Sequence, residues 1–143
     1  MILLDTTVLV YATGLDHPFR GPCRDLVAAI AEGGVRATTT VEAIQEFVHV
    51  RSRRRERGEA AEIGSAYADL LAPLLAPGEE DLRAGLALFG RSPGLGAYDA
   101  VLAATGLNAG VTALVSADAA FAAVPGLAHV LPDQAGVAAL LPA

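Results

Sequence analysis

Lysine is absent from this sequence of 143 residues, so its ten basic residues are all arginines. Tryptophan is also absent, and aromatic residues make up only 5% of the chain. A phosphate-binding loop of the Walker type needs a lysine to reach the phosphates, so that kind of nucleotide site is excluded. The same absence weighs against a phosphorylated receiver domain, whose acidic pocket is expected to use a lysine.

Cysteine and long apolar segments are equally scarce. The single cysteine, Cys23, excludes an internal disulfide, and we expect it to be a small packed side chain in a reducing compartment. The longest later apolar run, residues 70–76, contains Pro73 and is far too short to span a bilayer. Asp5 interrupts the apolar N-terminus, which also lacks the basic segment of a secretory signal. We therefore expect a soluble, cytoplasmic protein.

The formal net charge is −6, whereas a protein that binds nucleic acid by charge alone is usually basic. Contact with a polyanion would therefore need metal ions or a local basic patch. The candidate residues for such a patch are Arg51, Arg53, Arg54 and Arg55, with Arg57 just beyond them. A solvated helix end, favoured by the helix dipole, explains these arginines at least as well.

Apolar runs alternate with segments of helical spacing, which predicts one α/β domain over residues 1–143 with a short parallel sheet. The predicted strands are residues 2–4, 35–38, 112–116 and 127–130. The predicted helices begin at Thr6 and then cover residues 20–32, 41–55, 59–71, 79–90, 99–109, 119–123 and 133–141. We expect Gly58 to break the chain between the third and fourth helices.

Three aspartates share one context. Asp5 and Asp118 each follow an apolar strand and precede a helix, and Asp99 opens a helix after a glycine-rich loop. Helix capping explains each of them separately, although a capping carboxylate at a sheet edge can still turn one oxygen to a metal. Open α/β sheets place their ligands at that edge, so the three carboxylates are expected to meet there.

Glu46 needs a different explanation, because it lies inside a predicted helix. On a helical projection from residue 41, Glu46 falls at the border of the apolar face, next to Ala43 and Val50. Glu42 and His49 fall in the centre of the opposite face, where solvation explains them. We therefore prefer Glu46 to Glu42 as a functional acid, with an ordinary exposed glutamate as the alternative.

Converging carboxylates repel one another, so either a pKa rises or a cation is bound. Oxygen ligands without a histidine or cysteine cluster suit Mg²⁺ or Mn²⁺ rather than zinc. A carboxylate site for such a cation is typical of enzymes in which water attacks a phosphodiester. The pattern G-x-S-x-G at residues 90–94 is set aside, because a predicted helix precedes its serine where a hydrolase elbow needs a strand.

Four segments together resemble the acidic motifs of PIN-domain nucleases. They are LLDTTVLVYA (residues 3–12), TVEAIQEF (40–47), GAYDAVLAA (96–104) and LVSADAAF (114–121). Each motif is short and degenerate, but the four occur in order, with suitable spacing, over nearly the whole chain. Among PIN proteins, the length and the lack of extra domains look most like the VapC-type toxins of bacterial toxin–antitoxin pairs.

The resemblance implies a three-layer α/β/α fold and an endoribonuclease that needs Mg²⁺ or Mn²⁺. It also implies inhibition by a cognate antitoxin and a homodimeric state. By position, the catalytic and metal-binding acids are Asp5, Glu46, Asp99 and Asp118. Thr7 and Ser116 match hydroxyl positions that orient a carboxylate or water, although ordinary turn hydrogen bonding explains them equally well.

One departure from the family pattern keeps other functions open. Some members carry a further aspartate two residues after the fourth acid, where this chain has Ala120. That difference puts a second tightly held metal in doubt and is compatible with an inactive PIN-fold binding module. A housekeeping RNA-processing nuclease is the other alternative.

Overall fold

The computed structural model describes all 143 residues, and its centre is a four-stranded parallel sheet. The strands are β1 (Ile2–Leu4), β2 (Ala37–Thr38), β3 (Ala113–Val115) and β4 (His129–Val130), in the spatial order β2-β1-β3-β4. All three strand pairs are parallel, so every strand ends at the same edge of the sheet. The predicted parallel sheet is therefore present, with β1 as predicted and the other strands shorter.

Helices cover both faces of the sheet. The α-helices are α1 (Thr6–Thr13), α2 (Arg20–Ala31), α3 (Val41–Ser52), α4 (Arg57–Leu70), α5 (Glu79–Arg91), α6 (Ala97–Asn108) and α7 (Gln134–Ala138). A short 3₁₀ helix covers Ala119–Ala123. None of these helices has the length and apolar character needed to cross a membrane.

Alternate residues of β1 point into two separate cores, as expected for a strand that is buried on both sides. Ile2 and Leu4 pack in the core that α1, α2, α3 and α7 cover, together with buried Phe47. Leu3 packs in the other core, against α5, α6 and the buried Phe121. The predicted three-layer α/β/α arrangement is confirmed.

Two glycines hold α6 close to the rest of the fold. A Cβ atom at Gly85 of α5 would lie 2.7 Å from the Cα of Val101, so the two helix backbones meet there without a side chain between them. A Cβ atom at Gly106 would lie 2.8 Å from a side-chain carbon of Leu3 in β1. Because both contacts are too short for any larger residue, a side chain at either position would push α6 away from α5 or from β1.

The structure corrects two predicted helix ends. α3 ends at Ser52 rather than near Arg55, and Gly58 is the second residue of α4 rather than a break. The turn forms earlier because the amides of Arg54 and Arg55 both donate to the carbonyl of Arg51, at 3.0 Å each. A glycine is tolerated in the first turn of α4, where backbone amides have no partner in the helix.

Candidate active site

Asp5 forms the buried base of the site at the end of β1. Its backbone amide donates to the carbonyl of Val115 (3.0 Å), and its side chain caps α1. Its Oδ2 accepts hydrogen bonds from the hydroxyls of Ser116 (2.7 Å) and Thr7 (2.8 Å), and a longer one from the Thr7 amide (3.4 Å). These donors fix the carboxylate while its other oxygen makes no hydrogen bond within the protein.

Ser116 and Thr7 connect Asp5 to the segment that carries Asp118. The Ser116 hydroxyl is buried and accepts the amide of Asp118 (3.0 Å), and the Thr7 hydroxyl accepts the amide of Ala117 (3.0 Å). Each hydroxyl has one proton, and both protons go to Asp5. The 3.5 Å separation between the two hydroxyl oxygens is therefore a contact rather than a further hydrogen bond. Both hydroxyls therefore link the Asp5 carboxylate to the segment that carries Asp118.

Asp118 lies at the surface, three residues after the end of β3. Its Oδ1 accepts the amide of Ala120 (2.9 Å) and so caps the short 3₁₀ helix. The predicted capping role is therefore real for Asp118, as it is for Asp5. Capping uses one oxygen of each carboxylate, and neither role prevents the second oxygen from facing a ligand.

Glu46 extends from α3 toward the start of α1. Its Oε2 accepts a hydrogen bond of 2.8 Å from the hydroxyl of Thr6, a buried residue at the first position of α1. The same hydroxyl lies 3.3 Å from the carbonyl of Ala43, and the shorter bond goes to the charged acceptor, as expected. Sequence reasoning overlooked Thr6, although its place between Asp5 and Thr7 was a usable signal.

Asp99 lies in the first turn of α6 and, unlike Asp5 and Asp118, caps nothing. The helix begins at Ala97, two residues earlier than predicted, and Gly96 occupies the capping position. Burial, followed by the charges of Asp5, Asp118 and Glu46, raises the pKa of Asp99 to about 6. The three other acids are therefore near enough to make the ionised form of Asp99 unfavourable.

Asp5, Glu46 and Asp99 line one cleft of about 1100 Å³, and Asp118 acts on Asp99 from beside it. No arginine lines the cleft. Glu42 and His49, predicted to be merely solvated, are exposed but also line it, because α5 and α6 build its facing wall. The other side of the cleft is apolar, with Leu82, Leu86 and Tyr98 largely exposed.

Asp5, Glu46, Asp99 and Asp118 suit a hard divalent cation, because they offer it carboxylate oxygens, the ligands that such ions prefer. No three acidic or histidine side chains lie close enough together to form a ready-made metal cluster. Asp5, Glu46 and Asp99 instead share one cleft from three different elements, with no arginine beside them. Burial first, and the charges of the three other acids second, raise the pKa of Asp99.

Residues 2–127 match the family model described as PIN domain. The chain belongs to the PIN domain family. It is 57% identical over 142 residues to Ribonuclease VapC7 of Mycobacterium tuberculosis, covering 99% of this chain and 98% of that relative. It is 33% identical over 121 residues to Ribonuclease VapC23 of the same species, with 82% and 93% covered. The resemblance to PIN proteins of VapC type is confirmed.

Solved PIN-like structures share the fold at low sequence identity. VapC20 of Mycobacterium tuberculosis, described as a toxin that cleaves the sarcin-ricin loop, superposes with a TM-score of 0.72 at 16% identity, covering 86% of this chain and 94% of that one. VapBC2 from Rickettsia felis, bound to a DNA fragment from its promoter, gives 0.71 at 15% identity, with 92% and 98% covered. Both likenesses concern the fold of this PIN domain alone.

Proposed function

We propose that this PIN-domain protein is an endoribonuclease that uses Mg²⁺ or Mn²⁺ and acts as the toxin of a toxin–antitoxin pair. The observation that carries the proposal is the cleft that Asp5, Glu46 and Asp99 line together although they come from distant parts of the chain, with Asp118 near enough to act on Asp99. The names of the VapC ribonucleases that it resembles support the choice of RNA as substrate.

The residues that would hold the cation are Asp5, Glu46, Asp99 and Asp118. When bound, a divalent cation makes a water more acidic and offsets charge on the phosphate. Thr7 and Ser116 orient Asp5 through its Oδ2, and Thr6 orients Glu46 through its Oε2. Without a cation, the carboxyl of Asp99 holds its proton up to about pH 6.

The apolar side of the cleft supports a protein partner as well as a nucleic acid. Leu82 and Leu86 of α5 and Tyr98 of α6 expose apolar surface beside uncompensated carboxylates. A segment with apolar anchors and a basic side chain would complement this surface in both respects. We propose the cognate antitoxin as that partner, in keeping with the VapBC pairing named for the Rickettsia felis structure. A homodimer stays a prediction that light scattering can check.

The test is cleavage of labelled RNA by purified protein, with mapping of the new RNA ends. Cleavage should require Mg²⁺ or Mn²⁺, stop in EDTA, and be lost in Asp5→Asn, because the amide keeps the shape of the side chain and removes its charge. The matched control is Asp133→Asn, since Asp133 also caps a helix but does not line the cleft. Cleavage that persists in EDTA or in Asp5→Asn contradicts the mechanism.

A binding module without activity is the alternative that one observation favours, namely Ala120 in place of a further acid. Titration with Mn²⁺ separates the two proposals, because a module without chemistry has no need to bind the ion. Growth arrest on expression, relieved by a small neighbouring gene, would distinguish a toxin from a housekeeping RNA-processing nuclease.

A further inference from the structure

A small pocket lies at the far end of α1 and α3 from the carboxylates. Its volume is about 240 Å³, and it is lined by Gly14, Leu15, Arg51, Arg54 and Arg55. The two helices run side by side between the two sites, since Thr6 bonds Glu46 at one end and Arg51 Nη1 approaches the Thr13 carbonyl (3.5 Å) at the other. Because α1 has eight residues, the two sites lie about 12 Å apart along its axis.

Arg51 organises the pocket rather than offering it a free charge. Its guanidinium forms an ion pair with Glu59 at 2.7 Å, and its side chain is only 16% exposed. Its carbonyl accepts the amides of both Arg54 and Arg55, which fixes the turn that follows α3. Its Nε is buried without a hydrogen-bond partner, so one donor beside the pocket is unused.

Arg54 and Arg55 are the free charges at this pocket. Both are exposed, and neither has a carboxylate within 4.0 Å, because the protein's two ion pairs involve Arg51 and Arg83. No acidic residue lines the pocket. Internal ion pairing therefore does not explain these two side chains, and a planar guanidinium pair is well suited to phosphate oxygens.

A polar ridge along α3 connects the pocket with the cleft. His49 lines the cleft, and its Nε2 lies 3.0 Å from Nη2 of Arg53 at the start of the arginine turn. A nucleic-acid strand leaving the cleft along this ridge would pass from carboxylates to arginines within a short run of nucleotides. No other segment of the chain is comparably basic, since half of its arginines lie in residues 51–57.

We infer that Arg54 and Arg55 bind a backbone phosphate of the RNA a short run of nucleotides away from the bond that is cut. The inference rests on the proposed ribonuclease function and adds a second point of contact to it. The pocket is smaller than the roughly 300–1,000 Å³ of sites for drug-sized molecules, which suits a single phosphodiester group. Leu15, which is 69% exposed, supplies an apolar wall for the adjoining ribose or base.

The experiment measures how the affinity for RNA depends on salt. A fluorescent single-stranded RNA of about 12 nucleotides is titrated with protein in the presence of Mg²⁺. Every protein in this series also carries Asp5→Asn, so that the RNA is bound without being cleaved. Each phosphate contact on a single strand contributes about 0.7 to the slope of log affinity against log salt, so loss of the one phosphate contact in Arg54→Gln/Arg55→Gln should lower the slope by about 0.7. Arg54→Lys/Arg55→Lys keeps the charges and should keep the slope.

The matched control is Arg36→Gln/Arg91→Gln, which removes two exposed arginines outside both the cleft and the pocket. An equal fall in slope for this control overturns the inference, because the effect would then be one of net charge. An unchanged slope in Arg54→Gln/Arg55→Gln also overturns it, as does a variant that keeps RNA binding but loses antitoxin binding.

Cleavage assays with Asp5 intact separate this inference from the proposed function. KM for RNA should rise in Arg54→Gln/Arg55→Gln with little change in kcat, whereas the control variant should match the unmodified protein. Unmodified protein that cleaves RNA with a KM insensitive to these arginines overturns the phosphate site alone. Protein that binds RNA through the arginines but never cleaves it supports the phosphate site and contradicts the nuclease.

Discussion

The two ends of the α1–α3 pair carry opposite charges on the same scaffold. At the end nearest the sheet, Asp5 precedes α1 and Glu46 extends from α3 toward it. At the other end, Arg51 reaches the last residue of α1 and the arginine turn follows α3. Helix dipoles favour Asp5 at the start of α1 and the arginines at the end of α3, since anions are stabilised near helix N-termini and cations near C-termini.

The two ends differ in how their charge is compensated. Arg51 is neutralised inside the protein by Glu59, whereas no arginine lines the cleft that holds Asp5, Glu46 and Asp99. The carboxylates receive hydroxyl and amide donors, which orient them without cancelling their charge. The net charge of −6 therefore says little about where a polyanion can bind, because both a bound cation and a local arginine turn can receive it.

The largest expected effect is at the carboxylate end, in a comparison of Glu46→Gln with Glu42→Gln. Both glutamates line the cleft, but only Glu46 is held in place, by the Thr6 hydroxyl. Loss of a cation ligand should lower kcat for RNA cleavage by on the order of 100-fold or more in Glu46→Gln. Glu42→Gln should change it little, and both proteins should keep their stability within about 0.5 kcal/mol.

Steady-state cleavage kinetics and thermal denaturation of the two variants check this prediction. Equal losses of activity in the two variants would mean that the cleft acts through its overall negative charge rather than through Glu46 as a specific metal ligand. The contrast between the ends of α1 and α3 would then be one of charge alone.

A smaller effect is expected for Thr6→Val, which removes the donor to Glu46 and keeps the shape of the side chain. Groups that orient a metal ligand typically matter by about 10–100-fold, and we expect the lower part of that range, because Glu46 itself remains. The loss should appear as a higher Mn²⁺ concentration for half-maximal cleavage. Thr6→Ser keeps the hydroxyl and should restore the response, and failure of this rescue would show that Thr6 matters only for packing.

The sequence patterns that were sufficient here are local ones. An apolar run ended by a carboxylate places Asp5 and Asp118 after buried strands, because strand and turn signals lie within a few residues of each other. The positions of the Thr7 and Ser116 hydroxyls could be predicted for the same reason, because each lies within two residues of Asp5 or Asp118. The three-layer fold could be predicted because helical and strand spacing alternate along the chain.

Contacts between distant segments could not be read in this way. Thr6 and Glu46 are 40 positions apart, and nothing in either segment indicates that their side chains meet. A helical projection of α3 correctly finds its polar face, but it cannot reveal that α5 and α6 turn part of that face into a cleft. Glu42 and His49 are solvated as predicted, but the projection could not show that they also line the cleft. The effect of Gly58 was misjudged, because it depends on where the preceding turn is fixed.

The smallest expected effect is a dependence of stability on pH that comes from Asp99. Burial and then the charges of Asp5, Asp118 and Glu46 raise the folded-state pKa of Asp99 to about 6, against 3.8 for the free side chain. The folded protein therefore binds this proton more tightly than the unfolded chain does. The resulting stabilisation is complete below about pH 3.8 and is lost as the pH rises through about 6.

Thermal denaturation in EDTA, compared between about pH 5 and about pH 8, checks this for the unmodified protein and for Asp99→Asn. The unmodified protein should lose a few degrees more than the variant over this interval, a modest shift because Asp99 is only half-buried and water screens its charge. Adding Mn²⁺ should cancel the difference, since a nearby cation favours the ionised carboxylate. Identical profiles for the two proteins would mean that neither burial nor the charges of the other acids raise the pKa of Asp99 in the folded protein.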